Sequence, residues 1–328
     1  MTEKTISIII PNYNGAAYLA ACLASLREDP VPGTDIIVVD NGSTDGSGDL
    51  VTVQFPEVRL IRLKENTGFC GAVNAGIRAS SDRDYVILLN NDTVVRPGFV
   101  RALVREAERD ERIFSCQARM LSMTDPERLD DAGDLYCALG WAFARGHGRK
   151  DGPAYRKACN IFFACGGAAL YRMACLKTLG LFDEAHFAYL EDLDIGWRAR
   201  LSGYINRYVP DAVVCHAGSA SSGSAYNLFK VRHASQNSVY VIGKNMPPGQ
   251  LLLNLPLLLS GFLIKALFFI SKGFGREYLK GLGRGFTLSL QARREGRYVP
   301  FDFHHMRQYI QIQCELWLNI LKRVFEML

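Results

Sequence analysis

No CxxC pair occurs among the nine cysteines, their number is odd and they are scattered, which excludes a disulfide scaffold. Glycine and proline, 30 and 12 of 328 residues, are too few for a collagen or a disordered chain, and charged side chains stop at 22%. No signal peptide is legible, because Met1 to Lys4 runs straight into the strand-like ISIII (6–10). Together with the cysteine usage this leads us to expect a reduced, cytosolic setting. What remains is an ordinary folded chain, 48% hydrophobic, with length for one or two domains and a large core that needs no staple.

The net charge of +5 conceals an asymmetry: residues 1–243 are slightly acidic, at −2, whereas residues 244–328 carry +7. A basic tail calls for an anionic partner. The tail also holds the most apolar stretch, LLLNLPLLLSGFLIKALFFI (251–270), which points to anionic lipid rather than nucleic acid.

Between Thr5 and about Met120, strand-length apolar runs at 6–11, 35–40, 58–63 and 85–90 alternate with helical patterns at 16–27, 68–79 and 97–109, the last with Pro97 at its first helical position. Such alternation predicts a mainly parallel sheet with helices on its faces, whose ligands sit beyond the carboxyl ends of the strands. Those ends are polar: PNYNG (11–15), DNGSTDGS (40–47), NTGFCG (66–71) and NNDT (90–93). Any one of them is explained as turn chemistry; four at one rim are not. Residues 121–165 read as irregular. A helix is expected from about Met173, and a second, amphipathic one carries Leu190, Leu193, Trp197 and Leu201 with Glu191, Asp192 and Asp194 in its first turn. Three clustered carboxylates exceed what a helix dipole asks for, and their mutual repulsion suits a general base.

In order, these segments resemble glycosyltransferase family 2, the inverting enzymes with a GT-A fold, and among them the bacterial rhamnosyltransferase-like members. The resemblance rests on PNYNG, VVDNGSTDG (38–46), NTGFCGAVNAG (66–76), LNND (89–92), GGAALYR (166–172), FDE (182–184), EDLDIGWR (191–198) and His216, and it covers residues 5 to about 245. It implies a GT-A domain at 1–245 followed by a helical region at 246–328. Pro11, Tyr13, Asn14 and Asp40 would surround the nucleobase and ribose of a nucleotide-diphospho-sugar, with Asn66, Gly68, Gly71, Asn91 and Gly167 also on the donor. Asp92 and His216 would hold a divalent metal, Mn2+ or Mg2+, although the first position of the family's Asp-any-Asp triplet is Asn90 here. Asp192 matches the catalytic base, Glu191 and Asp194 would tune or position it, and Arg198 would face acceptor or phosphate. Trp197 is read either beside Arg198 or as plain core. The family's Arg-Asn pair stands here as Gln236-Asn237, which leaves Arg232 or Lys230 to replace the Arg.

The resemblance therefore implies transfer of a sugar, L-rhamnose from dTDP-rhamnose first, to a glycan or lipid-linked saccharide, with another UDP- or GDP-hexose as the alternative. A sugar-1-phosphate nucleotidyltransferase would show a Gly-rich, Arg-containing loop after the first strand, which PNYNG does not supply. A non-catalytic nucleotide-sugar scaffold would not need both Asp92 and Asp192. In the tail, Lys265 and Pro256 disfavour a membrane span for 251–270, leaving a helix lying on the inner face of the membrane, or a buried core helix. The last helix shows an apolar seam at Ile310, Cys314, Trp317, Leu321, Val324 and Leu328 that would cover the enzyme's own body, a second copy in a homo-oligomer, or membrane.

Overall fold

The computed structural model describes residues 4–218 and 226–327; Met1, the Ser219 that closes the His216 segment, and Leu328 lie outside the described residues. Strands β1 (Ile6–Asn12), β2 (Thr34–Asp40), β3 (Arg59–Arg62) and β4 (Tyr85–Leu89) pair in parallel, connected by helices α1 (Ala16–Arg27), α2 (Ser47–Gln54) and α3 (Gly68–Arg78). The continuous apolar run of β1 has a simple cause. Alternate residues serve opposite faces, so Ile6, Ile8 and Ile10 join one core cluster with Leu19 and Leu103, while Ile9 joins the other with Ile37, Val73 and Ile77. Helix α2 carries little sequence signal because the residues it buries are Ser47, Gly48 and Val51.

Past β4 come β5 (Thr93–Val95), α4 (Phe99–Ala107) and β6 (Ile113–Ser122). Gly98, at φ 84°, precedes α4, so Pro97 lies in the turn before it and not in its first helical position. Residues 121–165, read as irregular, contain β7 (Leu129–Asp131), β8 (Asp134–Cys137), β9 (Trp141–Ala144) and β10 (Cys159–Ile161). Then follow β11 (Ala168–Arg172), α5 (Met173–Leu179), α6 (Glu191–Leu201) and β12 (Ile205–His216). The ten-stranded sheet runs β10-β12-β6-β11-β4-β1-β2-β3, with β5 on β12 and β7 on β6, and β8-β9 form a separate ribbon. Strand β11 is antiparallel to both neighbours, making the sheet mixed around a parallel half.

The C-terminal helices are α7 (Leu228–Asn245), α8 (Pro248–Ser271), α9 (Gly275–Arg294) and α10 (Met306–Met327). Helices α7 and α9 approach closely because α9 offers glycines: a Cβ on Gly285 would lie 2.2 Å from the Gln236 carbonyl oxygen. Helix α8 is not a buried core helix. Leu252, Leu259, Leu263 and Leu267 are at least 60% exposed, and only Asn254, Leu258, Gly261 and Ala266 are buried. The seam expected on the last helix to cover the body also points outward: Ile310, Trp317, Leu321 and Val324 are exposed, whereas Tyr309, Ile312 and Leu316 pack against the cluster holding Trp197 and Val241.

Candidate active site

A cavity of about 1330 Å3 opens at the carboxyl ends of the parallel strands. Of the residues singled out in the sequence, Pro11, Tyr13, Asn66, Gly68, Asn91, Asp92, Gly167, Glu191 and Asp192 line it. Asn12 and Asn41, inside the quoted segments but not singled out, line it too and hold its floor together. Asn12 Nδ2 donates to Ser47 Oγ at 2.8 Å and Asn12 Oδ1 accepts from Asn91 Nδ2 at 2.7 Å. Asn41 Oδ1 accepts from the Thr67 amide at 2.9 Å, and Asn41 Nδ2 donates to the Gly68 carbonyl at 3.0 Å. Buried amides both donate and accept, so they fix loop against loop without adding charge.

Several expected residues stand outside the cavity wall. Asn14 Oδ1 accepts from the Thr44 amide at 2.9 Å, joining the loops after β1 and β2. Asp40 is buried and accepts from the Ser43 amide at 3.2 Å. Gly71 lies in the first turn of α3, where a Cβ would meet Thr67 Oγ1 at 2.4 Å. His216 sits behind Asp92, its Nε2 3.2 Å from Asp92 Oδ1 and its Nδ1 2.7 Å from Asp130 Oδ2. Burial opposes charge on that ring, but hydrogen bonds with Asp130 and Asp92 prevail and push it up to about 10.

Asp194 and Arg198 belong to a buried charge network rather than to the cavity. Asp194 Oδ2 lies 3.0 Å from both Lys244 Nζ and Arg198 Nε, and Asn245 Nδ2 donates to its other oxygen at 2.8 Å. Although burial works the other way, Lys244 and Arg198 hold the Asp194 carboxyl well below the usual carboxylate range. The Arg198 guanidinium also donates to the Leu179 and Leu181 carbonyls, at 2.6 and 2.9 Å, so it braces the chain before α6 and does not line the cavity. Asp194 is accordingly committed to that network rather than to Asp192. Trp197, fully buried against Tyr136 and Phe162, is core. Arg232, one of the two substitutes for the missing Arg, is engaged by Glu277 at 2.6 Å.

Asp192 itself lies in the first turn of α6, its Oδ1 accepting from the Leu193 amide at 2.8 Å. Burial pushes its carboxyl up to about 6; backbone donors at Leu193 and Gly166 pull the other way, and the charge of Asp131 adds to the rise. Burial, followed by the charge of Asp192, also raises Glu191. The segment delivering Asp192 to the cavity is strained: Phe187, Tyr189 and Leu190 have φ of 60°, 71° and 65°. One side chain clamps it. Asn237 Nδ2 reaches the carbonyls of His186, Ala188 and Tyr189 at 2.9, 2.9 and 2.7 Å. Gly68, at φ 77°, permits the other contact, since a Cβ there would lie 2.5 Å from the Phe187 carbonyl oxygen.

Asp131 and Asp134 also line the cavity, from the ends of β7 and β8 that face each other. No local pattern singles them out, because strands of three and four residues leave no periodicity to read.

Residues 7–180, more than half of the chain, match the family model for Glycosyl transferase family 2. The N-acetylglucosaminyl-diphospho-decaprenol L-rhamnosyltransferase of Mycobacterium tuberculosis is 28% identical over 247 residues, spanning 68% of this chain and 79% of the relative. Among solved structures, GalNAc-T7 with UDP, GalNAc and Mn2+ superposes with a TM-score of 0.59 at 15% identity, over 74% of this chain and 48% of that one. The mannosyltransferase PcManGT of Pyrobaculum calidifontis, in complex with GDP-Man and Mn2+, gives 0.56 at 16% identity over 96% and 86%. The cavity at the strand ends, the mixed sheet and the family match lead to one conclusion: the chain belongs to glycosyl transferase family 2 and is a glycosyltransferase.

Proposed function

We propose that this glycosyltransferase is metal-dependent and inverting, and that it moves L-rhamnose from dTDP-rhamnose to a hydroxyl of a cell-surface glycan or lipid-linked saccharide. The observation that carries the reading is that Asp92 and Asp192 line one cavity at the carboxyl ends of the strands. The donor would lie over the Asn12-Asn41-Asn91 floor, where uncharged amides and the Gly68 backbone allow close approach. Asp192 would take the proton from the acceptor hydroxyl as that oxygen attacks the anomeric carbon from the face opposite the diphosphate. One displacement inverts the centre, and no protein nucleophile is required.

A divalent cation suits the Asp92-His216 pair. The imidazole Nδ1 is bound by Asp130, which directs Nε2 at Asp92; a bound ion would take the place of the Nε2 proton, and imidazole suits Mn2+ better than Mg2+. Asp92 and His216 are the residues that would hold such an ion, which when bound neutralises charge on a departing diphosphate. The mycobacterial relative supports rhamnose and a lipid-linked acceptor, and the two Mn2+-bound neighbours support the metal.

We place the enzyme peripherally on the cytoplasmic face of the membrane. The exposed leucines of α8 continue into the exposed stripe of α10, the two helices being joined where Trp317 Nε1 and Gln313 Nε2 donate to Asn254 Oδ1 at 3.1 and 2.9 Å. Lys272, Arg276, Lys280 and Arg284 follow, the composition of a helix that lies on anionic lipid. Self-association through the same stripe is the competing use. The reading is tested by a panel of dTDP-, UDP- and GDP-sugars scored by nucleoside-diphosphate release. Turnover of dTDP-rhamnose that stops with chelator and returns with Mn2+ or Mg2+ supports it; no release from any donor, or release indifferent to chelator, overturns it.

A further inference from the structure

We infer that the aromatic wall of the cavity, made by Phe187, Tyr189, Tyr226, Phe229 and Phe274, is the subsite for the apolar chain of a lipid-linked acceptor, which it leads from the exposed face of α8 toward Asp192. This rests on the glycosyltransferase reading of the cavity and says how its second substrate is held.

The five rings come from three places in the chain: the segment before α6, the start of α7 and the turn between α8 and α9. They meet one another and α8. The Phe229 ring centre lies 6.0 Å from that of Phe187 and 6.1 Å from that of Tyr189, while Tyr226 lies 5.6 Å from Phe268 and 5.9 Å from Phe269. Past Phe268 the apolar surface continues into the exposed Leu263, Ile264 and Leu267 of α8. Trp197 is enclosed by Tyr136 and Phe162, but Tyr226 and Phe229 remain 47% and 44% exposed, so these rings are not core. The backbone supplies a second observation. Phe187 and Tyr189 hold φ of 60° and 71°, a conformation that bulky side chains avoid, and in it both stand on the cavity wall.

The occupant follows from what this surface adjoins at its two ends. One end is the cavity with Asp192 and the polar strand termini; the other is the exposed apolar face of α8. A nucleotide-sugar has no apolar tail to lay along the rings, and a membrane phospholipid has no group that belongs beside Asp192. A saccharide joined through a diphosphate to a long hydrocarbon matches both ends, its sugar hydroxyl at Asp192 and its chain on the rings. Lys272 Nζ, 5.9 Å from the centre of the Phe268 ring, adds a cation on the α8 side of the surface, which favours the linking diphosphate there.

The experiment uses the full chain in neutral detergent, dTDP-rhamnose, and two N-acetylglucosaminyl diphosphate acceptors that differ only in carrying a dimethylallyl or a geranylgeranyl chain. Wild type should show a KM lower by roughly tenfold or more for the longer chain. Tyr226→Ala combined with Phe229→Ala should raise the KM of the geranylgeranyl acceptor roughly 10- to 100-fold, the contact of two rings, while the dimethylallyl KM and the calorimetric donor affinity stay within about twofold. Three results overturn the inference. The first is equal KM for the two acceptors on wild type, which needs no variant to fold. The second is a double variant that weakens both acceptors alike. The third is a chain-length effect undiminished in the double variant, in which case a fall in sedimentation with anionic vesicles makes the rings a membrane contact and a fall in self-association makes them a dimer contact. Absence of nucleoside-diphosphate release by wild type from any donor would instead defeat the functional reading itself.

Discussion

Replacing Asn237 with Ala removes a side chain that holds three carbonyls of the segment preceding α6. The amide has two N–H bonds for three acceptors, so the loss amounts to about two full hydrogen bonds, at about 1 kcal/mol each, plus on the order of 1 kcal/mol for carbonyls left dry. Opposing it is the backbone strain of Phe187, Tyr189 and Leu190, each in the left-handed region at a cost of about 1 kcal/mol or more. With the clamp gone the segment relaxes. A deficit of about 3 kcal/mol lowers the population that presents Asp192 correctly by about two decades. Stopped-time transfer assays at saturating donor and acceptor should therefore show kcat down roughly 100-fold, with donor affinity in calorimetry unchanged because the Asn12-Asn41-Asn91 floor is untouched. Asn237→Asp, which keeps the shape and loses the donors, should behave alike. A kcat within twofold of wild type in Asn237→Ala would refute the reasoning.

Because Asp192 must be ionised to accept a proton and burial holds its carboxyl at about 6, kcat should fall about tenfold per pH unit below that value and level above it. Asp131→Asn, removing the charge that adds to the rise of Asp192, should move the limb to lower pH; a limb already below about pH 4 in wild type, the ordinary range for Asp, would contradict the assignment. Asp194→Asn should cost about 3–5 kcal/mol in urea unfolding, since Arg198 loses its carboxylate and Lys244 keeps Asp183 alone, and a loss under about 1 kcal/mol would contradict the network. As the folded-state affinity of Asp194 for protons is depressed, that stabilisation is complete above about pH 4, the unfolded carboxylate range, and drains away as pH falls further. Leu263→Glu with Leu267→Glu, at positions 61% and 60% exposed, should leave the fold intact and reduce sedimentation with vesicles of anionic phospholipid; undiminished binding would remove α8 from the membrane face.

The parallel half of the sheet was legible because β1, β2 and β4 are buried on both faces, and such strands leave unbroken β-branched runs between polar turns. The rim of the cavity was legible for the same reason: strand ends can be located once strands can. Elsewhere adjacency in sequence misled. Asp192 and Asp194 are two residues apart, about 200° around a helix, so one opens to the cavity while the other is enclosed by Lys244 and Arg198. Helix α10 carries two apolar stripes, and the pattern does not say that Tyr309, Ile312 and Leu316 meet the body while Ile310, Trp317 and Leu321 face away. The Asp131-Asp134 pair was illegible because it lies where β7, on β6, gives way to β8, on β9, strands of three and four residues that are too short to leave a pattern.

The central claim, that position 192 supplies the base for a donor bound on a separate floor of the same cavity, is tested most directly by Asp192→Asn assayed for transfer and for donor binding on one preparation. Transfer should drop about 10²- to 10⁴-fold, the usual share of a general base, with the donor dissociation constant unchanged. Turnover equal to wild type would contradict the account.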